Sequence, residues 1–216
     1  HLRNRRQRQM CIRDSAKEHT VIPVWKELVA DLITPVSAFE RIVGDQSGFL
    51  LESVEHGERW SRWSFIGRNP LLTIKKVANQ LLIEGEIPLE YDDNGKILEL
   101  VRTLQRDLSA PQIENFPPMY SGLLGYLGYD IVREIEDLPP PANDDLQVPD
   151  AILSIIGEVA AFDHWSQRVF LIANAIVKPQ SSESEITETY YETKSRLDSL
   201  MPVSYTHLTL PTIAKG

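Results

Sequence analysis

The sequence predicts an α+β fold, rich in strands through its middle. Three patterns point there. Runs of apolar and aromatic residues bounded by Gly, Pro and Asn recur between residues 48 and 84. Helical periodicity with recognisable start signals appears at 34–44, 96–108 and 183–201. Two long apolar runs, 150–162 and 168–177, read as strands near the end of the chain.

The elements follow in order. Residues 20–24 form a short strand that Pro23 confines to a sheet edge. Residues 25–32 read as a helical turn or two. Thr34 then supplies an N-cap and Pro35 the first helical position, with Val36, Phe39 and Val43 on one face and Gly44 as the stop. Residues 48–54, 60–67 and 71–77 are strands, Asn69-Pro70 is a turn, and 80–84 completes a hairpin. Residues 96–108 are an amphipathic helix through Leu98, Val101, Leu104 and Leu108. Phe116-Pro117-Pro118 breaks the chain, and a proline-punctuated connection lies at 139–145. The apolar runs at 150–162 and 168–177 flank a hairpin-like loop at 163–167. The second run does not alternate, so it is expected to be buried on both faces. The last helix carries acids at its start, where the macrodipole favours them.

Composition narrows the classes. The 216 residues are 42% hydrophobic and 25% charged, ordinary for a globular chain. A single cysteine excludes a disulfide framework. The net charge of −9 argues against a duplex-binding surface, and no window approaches the length of a membrane helix. The ends differ from the rest: residues 1–15 hold five arginines. Residues 5–14 can be encoded by an oligonucleotide whose reverse complement translates as residues 203–212, a pattern resembling a sequencing adapter. Segments 1–15 and 203–216 are therefore expected to be adapter-like and non-native, leaving a body at 16–202. That body has 16 basic and 30 acidic residues, a charge of −14, and no cysteine. It has lost the basic arm, so no nucleic-acid or membrane partner is expected and a reduced cytoplasmic compartment fits.

Few residues suggest catalysis. His19, His56 and His164 lack helical i, i+4 partners and read as surface residues. Gly122, Gly125 and Gly128 lack phosphate-loop spacing and read as close backbone packing. The acid pairs Asp92-Asp93 and Asp144-Asp145 read as solvated turns rather than a metal site. The strand Leu50-Leu51-Glu52-Ser53 is more informative. Strand periodicity puts Ser53 with Phe49 and Leu51, and Glu52 opposite with Leu50 and Val54. A hydroxyl among apolar neighbours needs either a backbone partner or a ligand. The segment Arg59-Trp60-Ser61-Arg62-Trp63-Ser64-Phe65 follows at once. An apolar floor, a hydroxyl and an arginine suit an aromatic amino acid, with the arginine taking its carboxylate. The same pattern also suits an amphipathic strand whose arginines lie along apolar surface.

Four stretches together resemble the N-terminal region of anthranilate synthase component I, of the chorismate-utilising enzyme family. They are Ile22-Pro-Val-Trp25 with Thr34-Pro-Val-Ser-Ala-Phe39, Phe49-Leu-Leu-Glu-Ser-Val54, Glu58-Arg-Trp-Ser-Arg-Trp-Ser-Phe-Ile-Gly67, and the segment from Tyr120 to Glu134. They occur in family order across nearly all of 16–202. The resemblance implies a β-sandwich with flanking helices, truncated before the catalytic domain after the last helix. It implies an enzyme that converts chorismate and ammonia to anthranilate and pyruvate, with ammonia drawn from glutamine by a glutamine amidotransferase subunit. It implies Mg²⁺ and all catalytic residues in the missing domain, and feedback inhibition by L-tryptophan. Glu52 and Ser53 carry over from the Leu-Leu-Glu-Ser motif as tryptophan contacts, and Arg62 by position. The fragment itself would be non-catalytic and bind tryptophan weakly. Alternatives are aminodeoxychorismate synthase component I, a stand-alone amino-acid-binding regulatory module and a structural domain without ligand.

Overall fold

The computed structural model describes residues 12, 14–30, 33–52, 62–91, 94–139, 147–178 and 180–201. Nine strands and three α-helices follow one another among them. They are β1 (Val21–Val29), α1 (Pro35–Ile42), β2 (Gly48–Glu52), β3 (Trp63–Arg68), β4 (Leu72–Val77), β5 (Gln80–Gly85), α2 (Ile97–Asp107), β6 (Leu123–Leu127), β7 (Ala151–Ile155), β8 (Glu158–Asp163), β9 (Arg168–Ile176) and α3 (Glu183–Leu200). A 3-10 turn, Tyr129–Glu134, sits between β6 and β7. The strands pair antiparallel into a five-stranded sheet, β1-β9-β8-β3-β2, and a four-stranded sheet, β5-β4-β7-β6. This is the strand-rich α+β architecture that the residue patterns predict, with the flanking helices that the resemblance implies.

Local chemistry sets the helix ends. Thr34 accepts from the Ser37 backbone N–H while Ser37 reaches back to the cap, and Pro35 stands at the first helical position. Ser182 and Glu185 repeat that reciprocal cap at α3. Lys96, at the start of α2, offers no side-chain cap. The carboxylate of Glu134 replaces it, accepting from the Ile97 and Leu98 backbone N–H groups at 2.9 Å each. Lys76 stands 3.2 Å from the same carboxylate, so the largely buried acid is both paired and placed at the positive end of a helix dipole.

Each sheet buries a face against helix. α3 packs on β9 and β1, and α1 on β3 and β2. Ala38, Ile42, Ile186 and Leu197 fill the space against Ile66, Phe162, Leu171 and Ala173. α2 lays Ile97, Leu100 and Leu104 on Leu72, Ile74, Leu153 and Ile155 of the smaller sheet. Fully burying one such aliphatic side chain stabilises by about 1.5–3 kcal/mol. The other face of the larger sheet carries Phe49, Trp63, Phe65, Phe170 and Ile172, met by Phe116 and Tyr120 from the loop before β6. Val21 and Ile176, at the ends of β1 and β9, reach into the α2 cluster and join the two halves.

Four expectations change. Residues 25–29 are strand, not helix, because β1 pairs with β9 along its whole length from Val21↔Ile176 to Val29↔Arg168. The run at 150–162 is two strands in different sheets, since Ile156 and Gly157 carry the chain from β7 to β8. In α1 the buried positions are Ala38 and Ile42, while Val36 is exposed. In α2 they are Ile97, Leu100 and the expected Leu104, while Leu98, Val101 and Leu108 are only partly buried at the edge of the same cluster. Gly125 and Gly128 show the close packing expected of the glycine segment, a Cβ sitting 1.8 Å from the Ile152 carbonyl oxygen and 2.8 Å from that of Asp150, but Gly122 does not, with nothing within 4 Å of its Cβ position.

Candidate functional site

The short edge strand β2 ends on Glu52, whose cross-strand partner on β3 is Ser64. Residues directly opposite in an antiparallel pair share a face. Glu52 and Ser64 accordingly lie on the side of Leu50 and Ile66, the side that α1 and α3 cover. Ser64 is 2% exposed, and its hydroxyl donates to Glu52 Oε1 at 3.3 Å. The Ser64 hydroxyl oxygen also lies 2.8 Å from Nε2 of His164, in the turn after β8. Glu52 itself is exposed, and its Oε2 has no hydrogen-bond partner among the described residues.

Arg62 stands two residues before Ser64. Its Nε and Nη2 donate to the two oxygens of Asp163 at 2.9 and 2.7 Å, a bidentate pair. Its guanidinium carbon lies 4.9 Å from the Trp63 ring centroid and 5.1 Å from that of Trp165. Burial opposes ionisation of Asp163. Hydrogen bonds from Arg62, Ser166 and the Trp165 backbone N–H, with the Arg62 charge, overcome it and hold the carboxyl down to about 2.

The structure thus brings two of the three sequence-derived residues, Glu52 and Arg62, to one end of the β2–β3 pair; Ser53 lies outside the described residues. Arg62 is not a free guanidinium awaiting a carboxylate, because Asp163 already takes two of its donors. Ser64, Asp163 and Trp165 were not singled out by sequence reasoning, and His164 was read as a surface residue without a role. Ser64 follows from Glu52 once the hairpin register is known. The other three stand about a hundred residues away and carry no local signal.

Among the described residues no group of three or more His, Cys, Asp or Glu side chains could hold a metal ion. None of their helices is long and apolar enough to cross a membrane. An apolar cavity under α1 and α3, lined by Val29, Ile33, Ile42, Phe162 and Leu200, has no polar side chain to orient a ligand. The end of β2 combines an exposed acid, a clamped arginine and aromatic rings.

Comparison with known proteins agrees with the motifs. No family model matches the chain. The chain is 39% identical over 186 residues to anthranilate synthase component 1 of Mycolicibacterium smegmatis, covering 85% of this chain and 35% of that one. It is 35% identical over 190 residues to the Arthrobacter globiformis protein of the same name, covering 88% and 36%. For the Acetivibrio thermocellus protein of that name the figures are 35% over 159 residues, 74% and 32%. The chain therefore spans about a third of the length of these relatives. A crystal structure of anthranilate synthase component I from Streptococcus pneumoniae aligns with a TM-score of 0.46 at 22% identity, over 80% of this chain and 36% of that one.

Proposed function

We infer that this chain is the tryptophan-sensing N-terminal part of an anthranilate synthase component I. The observation that carries the reading is sequence similarity to relatives of that name over 74–88% of the chain. The whole enzyme would convert chorismate and ammonia to anthranilate and pyruvate, with a glutamine amidotransferase subunit releasing the ammonia. Bound Mg²⁺ would organise the chorismate carboxylates; the described residues offer no ligand set for it, so no step is assigned to it here. Catalysis belongs to the part of the relatives that this chain does not cover. A cytoplasmic enzyme of amino-acid biosynthesis fits this reading.

The geometry supports a sensing role for the β2 end. A carboxylate with one oxygen unpaired among the described residues can take an amino acid's ammonium group at the end of β2. Inhibition then requires tryptophan to favour one of two arrangements of the enzyme. The relatives' names favour anthranilate over aminodeoxychorismate synthase, and identification of the amino-benzoate product separates the two.

The test is Ser53→Phe in the full-length enzyme. A phenyl group in place of the hydroxyl should raise the tryptophan concentration for half-inhibition at least about tenfold, the loss expected when a bulky ring blocks a ligand site. Inhibition that persists at the wild-type concentration refutes the assignment.

A further inference from the structure

The turn between β8 and β9 holds both charged residues of the candidate site, from opposite sides of the sheet. Asp163, on the aromatic side, grips Arg62 through two hydrogen bonds. His164, its neighbour, grips Glu52 through Ser64. The turn is itself anchored: the His164 backbone N–H donates to the Arg62 carbonyl at 2.9 Å, and Trp165 N–H donates to Asp163.

The direction of the His164 chain follows from counting protons. A serine hydroxyl has one hydrogen and an ionised carboxylate has none. Ser64 gives its hydrogen to Glu52, so its oxygen accepts from His164 Nε2–H. The order is imidazole, hydroxyl, carboxylate. In a nucleophilic triad the carboxylate instead bonds the imidazole and the hydroxyl faces substrate. Ser64 is buried, with its hydrogen committed to a carboxylate, so it is a relay and not a nucleophile. The relay fixes one oxygen of Glu52 and leaves the other without a partner among the described residues.

We propose that His164 is a positioning residue for the amino-acid site: acting through Ser64, it sets the Glu52 carboxylate so that the unpaired oxygen meets the ammonium group of the bound amino acid. This rests on the reading of Glu52 as a ligand contact. A swinging carboxylate would have to be ordered on binding, and the relay removes that loss in advance.

Calorimetric titration of the full-length enzyme with L-tryptophan tests it, using Glu52→Gln, His164→Ala and His164→Gln. Gln can present an N–H close to where His164 places Nε2–H; Ala cannot. His164→Ala should weaken binding about fivefold, the effect of losing one such hydrogen bond. His164→Gln should restore it to within about twofold, and Glu52→Gln should weaken it more than either. Wild-type affinity in His164→Ala beside a weakened Glu52→Gln overturns the positioning role and leaves the ligand reading standing. Wild-type affinity in Glu52→Gln overturns the ligand reading, and the proposal with it. Equal weakening in both His164 variants shows that the donated hydrogen bond is not what matters and also overturns the proposal. Unfolding midpoints measured in parallel should stay together, because His164 is exposed; a midpoint that falls in both variants assigns the turn to folding instead.

Discussion

Asp163 is where charge, burial and the candidate site meet. Its side chain is 4% exposed, yet it stays ionised because Arg62 and the turn supply its hydrogen bonds. A carboxyl held below its unfolded value of 3.8 stabilises the fold above that value and loses its contribution as pH falls through about 2. Asp163→Asn should therefore destabilise by about 1–2 kcal/mol at neutral pH, the scale of a charge-assisted hydrogen bond. The difference from wild type should shrink towards zero as urea unfolding is repeated down to pH 2. A difference that stays constant with pH would show that the charge is not involved. At this scale the sequence was only partly readable. Glu52 and Arg62 stood out because a charged residue beside apolar strand positions is conspicuous. Their partners did not, because Asp163 and His164 look like any polar turn until β3 is laid beside β8.

Among the elements, β7 and β8 show how one glycine can decide a topology. The run from 150 to 162 has the hydrophobicity of a single long strand, but Gly157 brings the chain against the Asn69 turn and sends it into the other sheet. A Cβ at Gly157 would lie 1.9 Å from the Asn69 carbonyl oxygen. Gly157→Ala must push those backbones apart and should cost about 3 kcal/mol, measurable as a lowered urea midpoint with an unchanged slope. The stripes of α1 and α2 were read only in part, Val43 and Leu104 being buried as expected while Val36 is exposed, for a related reason. Several apolar residues could have faced inward, and the sheet beneath selected among them. Cap residues were read correctly at Thr34, because an N-cap acts within three residues of itself. The capping of α2 by Glu134 has no such local signature, as the acid arrives from 37 residues away.

For the molecule as a whole, the larger sheet is fastened to both of its helices through one half-buried arginine. Arg68 Nε donates to Glu158 at 2.8 Å, Nη1 to the Ile42 carbonyl closing α1, and Nη2 to Ser199 of α3. Glu158 is 1% exposed, and the Asn69 amide also reaches it. Removing one member of such a pair strands the other in a medium that cannot solvate it. Arg68→Ala should lower stability by about 3–5 kcal/mol, while the double variant Arg68→Met with Glu158→Leu should recover most of that loss. Thermal unfolding of the three proteins checks both statements. A double variant as unstable as the single would show that the ties to α1 and α3 matter more than the ion pair.

The sequence by itself determined most of the kinds of element, though not the second half of β1 or β6, because dihedral preference, side-chain period and capping act over a few residues. It also determined the motif strand that ends in Glu52, and with it the resemblance to anthranilate synthase component I. Only the tertiary structure decided which strands share a sheet, where the long apolar run divides, and that one turn holds both charged residues of the candidate site. Those pairings join positions about a hundred residues apart. They form when packing and hydrogen bonding outweigh the entropy of closing a long loop, a balance that no local stretch of sequence expresses.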